Sequence, residues 1–173
     1  MTTKPKLLFL YTGGTLSMVA TEDPGHLAPM ATPPNLAEHV PTLARVADVE
    51  GKVVSNVDSS DLRPDDWARL AKNIAEAHDD YDGFVVVHGT DTMTFTACAL
   101  SFMLGGDHKP VVLTGSQRPL TEPRTDARVN LVHSAICATM GIREVSLYFG
   151  SHLFRGNRAT KTSVHAYDAF ASP

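Results

Sequence analysis

The segment Tyr-Thr-Gly-Gly-Thr at residues 11–15 places a hydroxyl and two glycines directly after the apolar run at residues 7–10. The run predicts a buried strand, and the glycines predict its abrupt end. A hydroxyl at the carboxyl end of a strand in an open α/β sheet lies where such folds bind ligands. Glycines beside it let backbone N–H groups approach an anion closely. Thr12 is therefore a candidate nucleophile.

Two further polar segments follow predicted strands. Gly-Thr-Asp-Thr at residues 89–92 follows an apolar run, and Asp-Ser-Ser-Asp at residues 58–61 follows a valine-rich stretch. Since the carboxyl ends of parallel strands share one edge of a sheet, these segments are expected to meet Thr12 in space. Each has an alternative explanation as a helix cap, and residues 11–15 could be only a tight turn. Together, the three segments predict a site for a small polar substrate.

A threonine hydroxyl is a poor nucleophile until a base accepts its proton or a positive group stabilises the alkoxide. Asp91, Lys161 and Tyr11 are the candidate partners of Thr12. Thr90, Lys161 and Asp91 could form a hydroxyl–amine–carboxylate relay, analogous to triads that contain histidine. The alternative for Lys161, which lies among hydroxyls in Ala-Thr-Lys-Thr, is a solvated surface lysine.

The elements that must position these residues alternate between strands and helices. Strands are predicted at residues 7–11, at the valines 53, 54 and 57, and at 83–88, 110–114 and 144–149; helices are predicted at 35–46, from Pro64 onward, at 92–104 and at 126–140. Pro41 is expected to weaken or split the first helix. Residues 16–33 are predicted to form a long loop, of a length that is usual for lids or disordered segments. The polar tail at residues 151–162 could fold back as a β-arm.

Three of the helices carry apolar stripes that predict their core-facing sides. The stripes are Trp67, Leu70, Ala71 and Ile74; Met93, Ala97, Leu100 and Leu104; and Val129, Val132, Ile136 and Met140. The alternation predicts an α/β fold, a three-layer sandwich with a mostly parallel, Rossmann-like sheet and helices on both faces. The connections are expected to be right-handed crossovers.

The composition is typical of a globular protein, with 43% hydrophobic and 20% charged residues among 173. A net charge of −4, with dispersed Lys and Arg, predicts no nucleic-acid partner and no membrane partner. No segment resembles a signal peptide or is long enough to span a bilayer, so a cytoplasmic location is expected. Cys98 and Cys137 are expected to be reduced thiols, and no ligand spacing predicts a metal site.

Taken together, these motifs resemble the bacterial L-asparaginases, specifically their cytosolic type I branch. The matching segments are Tyr-Thr-Gly-Gly-Thr at 11–15, Asp-Ser-Ser-Asp at 58–61 with Pro64 and Trp67, His-Gly-Thr-Asp-Thr-Met at 88–93, Leu-Thr-Gly-Ser-Gln at 113–117, Arg-Gly-Asn-Arg-Ala-Thr-Lys-Thr at 155–162 and Asp-Ala-Phe-Ala-Ser-Pro at 168–173. The similarity covers nearly the whole chain, and the two threonine motifs together are highly specific.

The resemblance implies hydrolysis of L-asparagine to L-aspartate and ammonia, without a metal or organic cofactor. It implies that Thr12 attacks the side-chain amide carbon, while a relay of three residues moves protons. That relay consists of Thr90, Asp91 and Lys161. The backbone N–H of Thr90 is expected to stabilise the oxyanion. The residues implied in substrate binding, which hold the α-amino and α-carboxylate groups, are Asp58, Ser59, Ser60, Gly89, Thr90 and Asp91.

Two features depart from the family. Its members carry a second, C-terminal domain that helps close a neighbour's active site, whereas residues 1–173 are expected to form a single N-terminal-like domain without it. The family also places a tyrosine in the lid, but residues 16–30 contain none. His26 is the candidate lid residue, and the strand position of Tyr11 is expected to turn it away from the pocket. A homo-oligomer is expected, because a site that a neighbour completes leaves an exposed edge.

Two other functions stay open at this point. The chain could be a glutaminase or a mixed amidase, since one methylene in a pocket changes binding by only about 1–3 kcal/mol. It could instead be a catalytically dead amino-acid-binding module. The presence of every relay residue argues against that second class, because binding alone needs no lysine–aspartate–threonine relay.

Overall fold

A six-stranded sheet lies at the centre of the computed structural model, which describes residues 3–20, 27–29 and 36–173. The strands are β1 (Lys6–Tyr11), β2 (Met18–Ala20), β3 (Leu27–Pro29), β4 (Asp48–Val53), β5 (Gly83–Val87), β6 (Val111–Thr114), β7 (Val145–Phe149), β8 (His152–Arg155), β9 (Thr160–Lys161) and β10 (Phe170–Ala171). The helices are α1 (Leu36–His39), α2 (Leu43–Val46), α3 (Pro64–Glu76), α4 (Met93–Met103) and α5 (Ala127–Thr139).

The sheet confirms the prediction of a mostly parallel arrangement. Its strand order is β4-β1-β5-β6-β7-β8, and only β8 pairs antiparallel, with β7. In the register of the sheet, Tyr11 lies opposite Val87, and Val87 lies opposite Thr114. The turns that follow β1, β5 and β6 therefore begin at the same edge of the sheet, where open α/β folds bind ligands.

Two apolar cores lie on opposite faces of the sheet. On β1, Leu7, Phe9 and Tyr11 pack in the core formed with α1, α2 and α5, whereas Leu8 and Leu10 pack in the core formed with α3 and α4. The two-residue period of a strand produces this alternation, and β1 is buried on both faces. The predicted three-layer sandwich with helices on both faces is thereby confirmed.

The apolar stripes predict the buried face correctly for two helices. On α3 the buried side chains are Leu70 and Ile74, and on α4 they include Met93, Ala97 and Leu100.

The stripe predicted on α5, in contrast, does not face the core. Val129, Ile136 and Met140 are 51%, 40% and 61% exposed, so that prediction is wrong. The helix buries a different face, which consists mainly of small residues: Ala127, Asn130, Leu131, Ser134, Ala135 and Ala138. Small side chains let a helix lie close to a sheet, and an apolar stripe alone does not show which face does so.

The second strand also differs from its prediction. The strand expected at the valines 53, 54 and 57 occupies Asp48–Val53 as β4 and ends before Val57. Because β4 is an edge strand, its sequence Asp-Val-Glu-Gly-Lys-Val is mostly exposed and contains no apolar run that would mark it. Pro41 splits the first predicted helix into α1 and α2, as expected.

The lid segment and the tail contain short strands. Residues 16–33 were expected to be a loop, yet β2 pairs antiparallel with β3 within them; strands of three residues are too short to show an alternating pattern. The tail confirms the predicted β-arm, since β8 folds back on β7, and β9 and β10 then form a separate two-stranded ribbon. None of the helices in the described part of the chain is long and apolar enough to cross a bilayer.

Candidate active site

Thr12 lies at the carboxyl end of β1, held by backbone on both sides. It is 4% exposed, and both its backbone N–H and its hydroxyl donate to the Val87 carbonyl, at 3.0 and 3.1 Å. Its own carbonyl accepts from the Ser55 hydroxyl at 3.1 Å and from the Val57 backbone N–H at 3.2 Å. The backbone of Thr12 is therefore fixed between β5 and the segment after β4.

The predicted relay residues meet in space. The Lys161 ammonium donates to the Thr90 hydroxyl at 2.8 Å and to the Asp91 carboxylate at 2.7 Å, although these residues are 71 and 70 positions apart. The Lys161 side chain is 14% exposed, whereas that of Asp91 is 59% exposed. Lys161 is thus a largely shielded amine with two specific partners, and the alternative of a solvated surface lysine is excluded by this burial.

Thr12 and the pair Thr90–Asp91 follow neighbouring strands of the sheet. Thr12 follows β1, and Thr90 and Asp91 lie in the turn that follows β5, its hydrogen-bonded neighbour. Within the described residues, no hydrogen bond joins the Thr12 hydroxyl to the Lys161 cluster. The hydroxyl instead donates to the Val87 carbonyl. The Thr12 hydroxyl could contact the Lys161 cluster only if this hydrogen bond to the Val87 carbonyl broke.

The segment at residues 58–61 forms a single turn of 3₁₀ helix beside the site. The Asp58 carboxylate accepts from the Ser60 backbone N–H at 2.8 Å, so its capping role is confirmed. Ser59 is 3% exposed, while Asp58 and Ser60 are exposed. A hydrogen bond connects this turn to the segment that follows β5: the Thr92 hydroxyl donates to the Ser59 carbonyl at 2.7 Å. This role of Thr92 was not predicted from the sequence, although residues 89–92 were predicted to belong to the site.

Two glycines allow the three polar segments to come into contact. Gly14 has a φ of +89°, and a Cβ atom there would lie 2.4 Å from the Gly89 Cα atom. A Cβ atom on Gly89 would lie 2.6 Å from the Ser59 Oγ atom. A larger residue at Gly14 or Gly89 would therefore push apart the turn after β1, the turn after β5 and the turn at residues 58–61, called the Ser59 turn below.

A buried chain of hydrogen bonds runs from α3 to the β5 turn. The Trp67 indole N–H donates to the Thr96 hydroxyl at 2.9 Å, and Thr96 Oγ1 lies 2.8 Å from His88 Nε2. The other ring nitrogen of His88, Nδ1, lies 2.7 Å from the Gly89 carbonyl. Because that carbonyl can only accept, we assign the ring proton to Nδ1, and Thr96 then donates to Nε2.

Burial holds His88 as a neutral imidazole. Burial lowers the pKa of His88 to about 4, against a weaker opposing effect of the Gly89 carbonyl. This role of His88 could not be predicted from the sequence, since a histidine at the end of a strand carries no signal about its ring partners.

The remaining candidates fall outside the polar cluster. Tyr11 is 4% exposed in the core with α1, α2 and α5, and burial raises the pKa of its phenol, so it stays protonated. Its expected orientation away from the site agrees with this position. His26 lies outside the described residues. Among the described residues, no group of three or more His, Cys, Asp or Glu side chains could hold a metal ion.

The fold and this site define an α/β protein with threonine, lysine and aspartate side chains at the carboxyl edge of a parallel sheet. The chain belongs to the asparaginase family: the family described as Asparaginase, N-terminal, matches residues 6–173. It is 45% identical to L-asparaginase 1 of Escherichia coli (strain K12), over 98% of this chain and 51% of that protein. The predicted resemblance to type I asparaginases is confirmed.

Other relatives also match almost the whole of this chain. The thermostable L-asparaginase from Thermococcus kodakarensis superimposes with a TM-score of 0.83 at 38% identity, over 96% of this chain and 51% of that one. A component of the glutamyl-tRNA(Gln) amidotransferase from Pyrococcus abyssi is 39% identical, over 97% of this chain and 40% of that protein. The chain thus spans about half the length of these two L-asparaginases.

Proposed function

We propose that this chain hydrolyses L-asparagine to L-aspartate and ammonia through covalent threonine chemistry. The observation that carries the proposal is the contact of Lys161 with Thr90 and Asp91, at 2.8 and 2.7 Å, beside the buried Thr12. The similarity to L-asparaginases over almost the whole of this chain supports the same assignment.

In the proposed reaction, Thr12 Oγ bonds to the side-chain amide carbon of the substrate and gives up its proton. The relay of Thr90, Lys161 and Asp91 accepts a proton and returns one to the leaving nitrogen, so that the C–N bond breaks and ammonia departs. Water then cleaves the ester on Thr12 and releases aspartate. The backbone N–H of Thr90 stabilises the oxyanion, an interaction often worth about 3 kcal/mol in such enzymes.

The proposed substrate contacts surround these groups. Asp58, Ser59 and Ser60 hold the α-amino and α-carboxylate ends, together with Asp91 and the backbone of Gly89. Their placement beside the β5 turn supports this role, because Thr92 joins the Ser59 turn to it. No metal or organic cofactor takes part in the proposed chemistry.

The test is ammonia release from L-asparagine by the 173-residue chain and by its Thr12→Ala variant. We expect Thr12→Ala to lose nearly all turnover and still bind L-aspartate, because only the bond-forming oxygen is removed. Thr139→Ala, on the exposed end of α5, is the matched control and should behave as wild type. Turnover by a correctly folded Thr12→Ala protein would remove Thr12 from the nucleophile role.

A glutaminase or mixed amidase is the second candidate. The observation that favours this candidate is the 39% identity to a component of a glutamyl-tRNA(Gln) amidotransferase. Because one methylene changes pocket binding by only about 1–3 kcal/mol, the ratio of kcat/KM for L-asparagine and L-glutamine decides between the two substrates. Aspartate binding without release of ammonia from either amide would instead support a binding module.

The organisation of the molecule is part of the same proposal. Residues 1–173 form one N-terminal-like domain, and copies of the chain associate into a homo-oligomer. Exposed apolar side chains on the outer face of α4, among them Phe95 at 63% and Phe102 at 75%, support association. A cytoplasmic location, expected from the resemblance to the type I branch, stays a prediction.

A further inference from the structure

The strand that carries Lys161 does not belong to the six-stranded sheet. β9 is only two residues long, and its strand partner is β10, with Phe170 opposite Lys161 and Ala171 opposite Thr160. A two-stranded ribbon of this size is not stable by itself in water. The position of the Lys161 ammonium therefore depends on whatever holds the ribbon and the turn between its strands against the rest of the protein.

Packing holds one end of the ribbon. The Phe170 ring lies against the Phe149 ring of β7, with 4.8 Å between ring centroids, and Ala169 is fully buried. The turn at residues 163–168 is different, because nearly all of its residues are exposed and Val164 is 66% exposed. Hydrophobic packing cannot fix that turn, so polar contacts must do so.

Gln117 supplies two of these contacts with one side chain. Its Nε2 donates to the Val164 carbonyl at 3.0 Å and to the Ala166 carbonyl at 2.9 Å, which uses both amide hydrogens. The backbone N–H of Gln117 is itself held by the Asp126 carboxylate, at 3.0 and 3.1 Å, at the start of α5. The glutamine thus connects the turn to the rigid end of a helix. Tyr167 adds a further bond, to the Arg124 carbonyl at 2.9 Å.

We propose that Gln117 is a positioning residue for Lys161: it clamps the 163–168 turn and so holds the ribbon where the ammonium reaches Thr90 and Asp91. The inference rests on the proposed function for its catalytic consequence. It follows the general rule that small misplacements of a catalytic group are costly, since about 1 Å can reduce the rate by about 10²-fold.

The kinetic test uses Gln117→Met, which keeps the length of the side chain and removes both donors. We expect kcat to fall roughly 10- to 100-fold, while KM and the Kd for L-aspartate change less than about twofold, because Asp58, Ser59 and Ser60 lie on a different segment. Asn73→Leu, which removes an amide donor to the Arg69 carbonyl on α3, is the matched control and should leave kcat unchanged. A rise in KM with kcat unchanged overturns the proposal.

A double-mutant cycle tests whether Gln117 acts through Lys161. In a Lys161→Met background, the ammonium is already gone, so Gln117→Met should cause no further loss of the residual rate. Independent penalties that add in the double variant overturn the proposal, since they would show that Gln117 affects the rate by another route.

Amide hydrogen exchange tests the clamp without relying on activity. The Thr162 and Ser163 N–H groups both donate to the Ala169 carbonyl, at 2.8 and 3.3 Å. In Gln117→Met we expect exchange at these two amides to accelerate roughly tenfold or more, with the amides of β1 and β5 unchanged. Unchanged exchange overturns the clamp. Faster exchange in a chain that never releases ammonia supports the clamp and counts against the proposed function alone.

Discussion

Lys161 shows how much a single residue depends on its surroundings. Its ammonium has two partners at 2.7 and 2.8 Å, yet one of them, Asp91, is 59% exposed. An ion pair with such an exposed carboxylate contributes little to stability. The geometry of the contact is therefore better explained by positioning of the amine than by stabilisation of the fold, and this agrees with the proposed relay.

His88 gives a prediction about pH at the same scale. The pKa of its imidazole falls from 6.5 to about 4 on folding, because burial disfavours the charged form. Between these pH values His88 is protonated in the unfolded chain but not in the folded one. The contribution of His88 to the free energy of unfolding is therefore complete above about pH 6.5 and is lost as the pH falls toward about 4. Over the upper part of this window, down to about pH 5, the loss should be on the order of 2 kcal/mol.

The measurement is the free energy of unfolding by denaturant at about pH 7 and about pH 5. From about pH 7 to about pH 5, we expect the free energy of unfolding to fall by more in the wild type than in His88→Gln, whatever the absolute stability of the variant. His165→Gln, at an exposed position, should retain the wild-type difference. Parallel losses in wild type and His88→Gln would contradict the assignment of a neutral buried imidazole.

Among the helices and strands, the site is a set of turns joined by side-chain hydrogen bonds. Trp67 on α3 and Thr96 on α4 hold His88, and Thr92 at the start of α4 holds the Ser59 turn. The two helices of one sheet face thereby determine where the β5 turn and the Ser59 turn lie relative to each other.

Thr92→Val tests this connection, because valine keeps the β-branched shape and removes the hydroxyl. Loss of one hydrogen bond of about 1 kcal/mol should loosen the Ser59 turn and raise KM about fivefold, with a smaller change in kcat. Steady-state kinetics with L-asparagine measure both constants. Thr94→Val, in the first turn of α4, is the control and should have wild-type kinetics. A fall in kcat at constant KM would assign Thr92 to the chemical step instead.

At the scale of the whole molecule, apolar side chains are exposed on α4 and, on the opposite side of the sheet, on α5. Phe95 and Phe102 are seven residues apart on α4, which places them on one face two turns from each other. Val129 on α5 and Met140 directly after its end are also exposed. Exposed apolar side chains grouped in this way are typical of surfaces that associate.

We therefore expect the chain to sediment as a dimer or larger species, with a dissociation that depends on concentration. Two paired variants identify the face involved: Phe95→Ser with Phe102→Ser on α4, and Val129→Ser with Met140→Ser on α5. The double variant whose substitutions lie on the interface should associate more weakly, whereas the other double variant should associate as the wild type does. A monomer at every accessible concentration would contradict the expected homo-oligomer.

Local features of the chain were enough to predict much of the fold. The apolar runs that end in glycines and hydroxyls predicted β1 and β5, and the alternation of strands and helices predicted a mostly parallel sheet. These signals are local, because a buried parallel strand must be apolar on both faces and must end where polar residues begin. The bounds of the edge strand β4 were predicted wrongly for the same reason, since the strand is exposed and has no apolar run.

Residue types and their order were sufficient to identify the chemical groups at the strand ends: Thr12, the Thr90–Asp91 pair and Lys161. Three features became known only from the folded chain: the distances at which Lys161 contacts residues 70 and 71 positions away, the buried face of α5, and the nitrogen of His88 that carries the proton. The physical reason is that residue type and periodicity are properties of neighbouring residues, whereas distance, burial and proton position depend on packing between segments that are far apart in the chain.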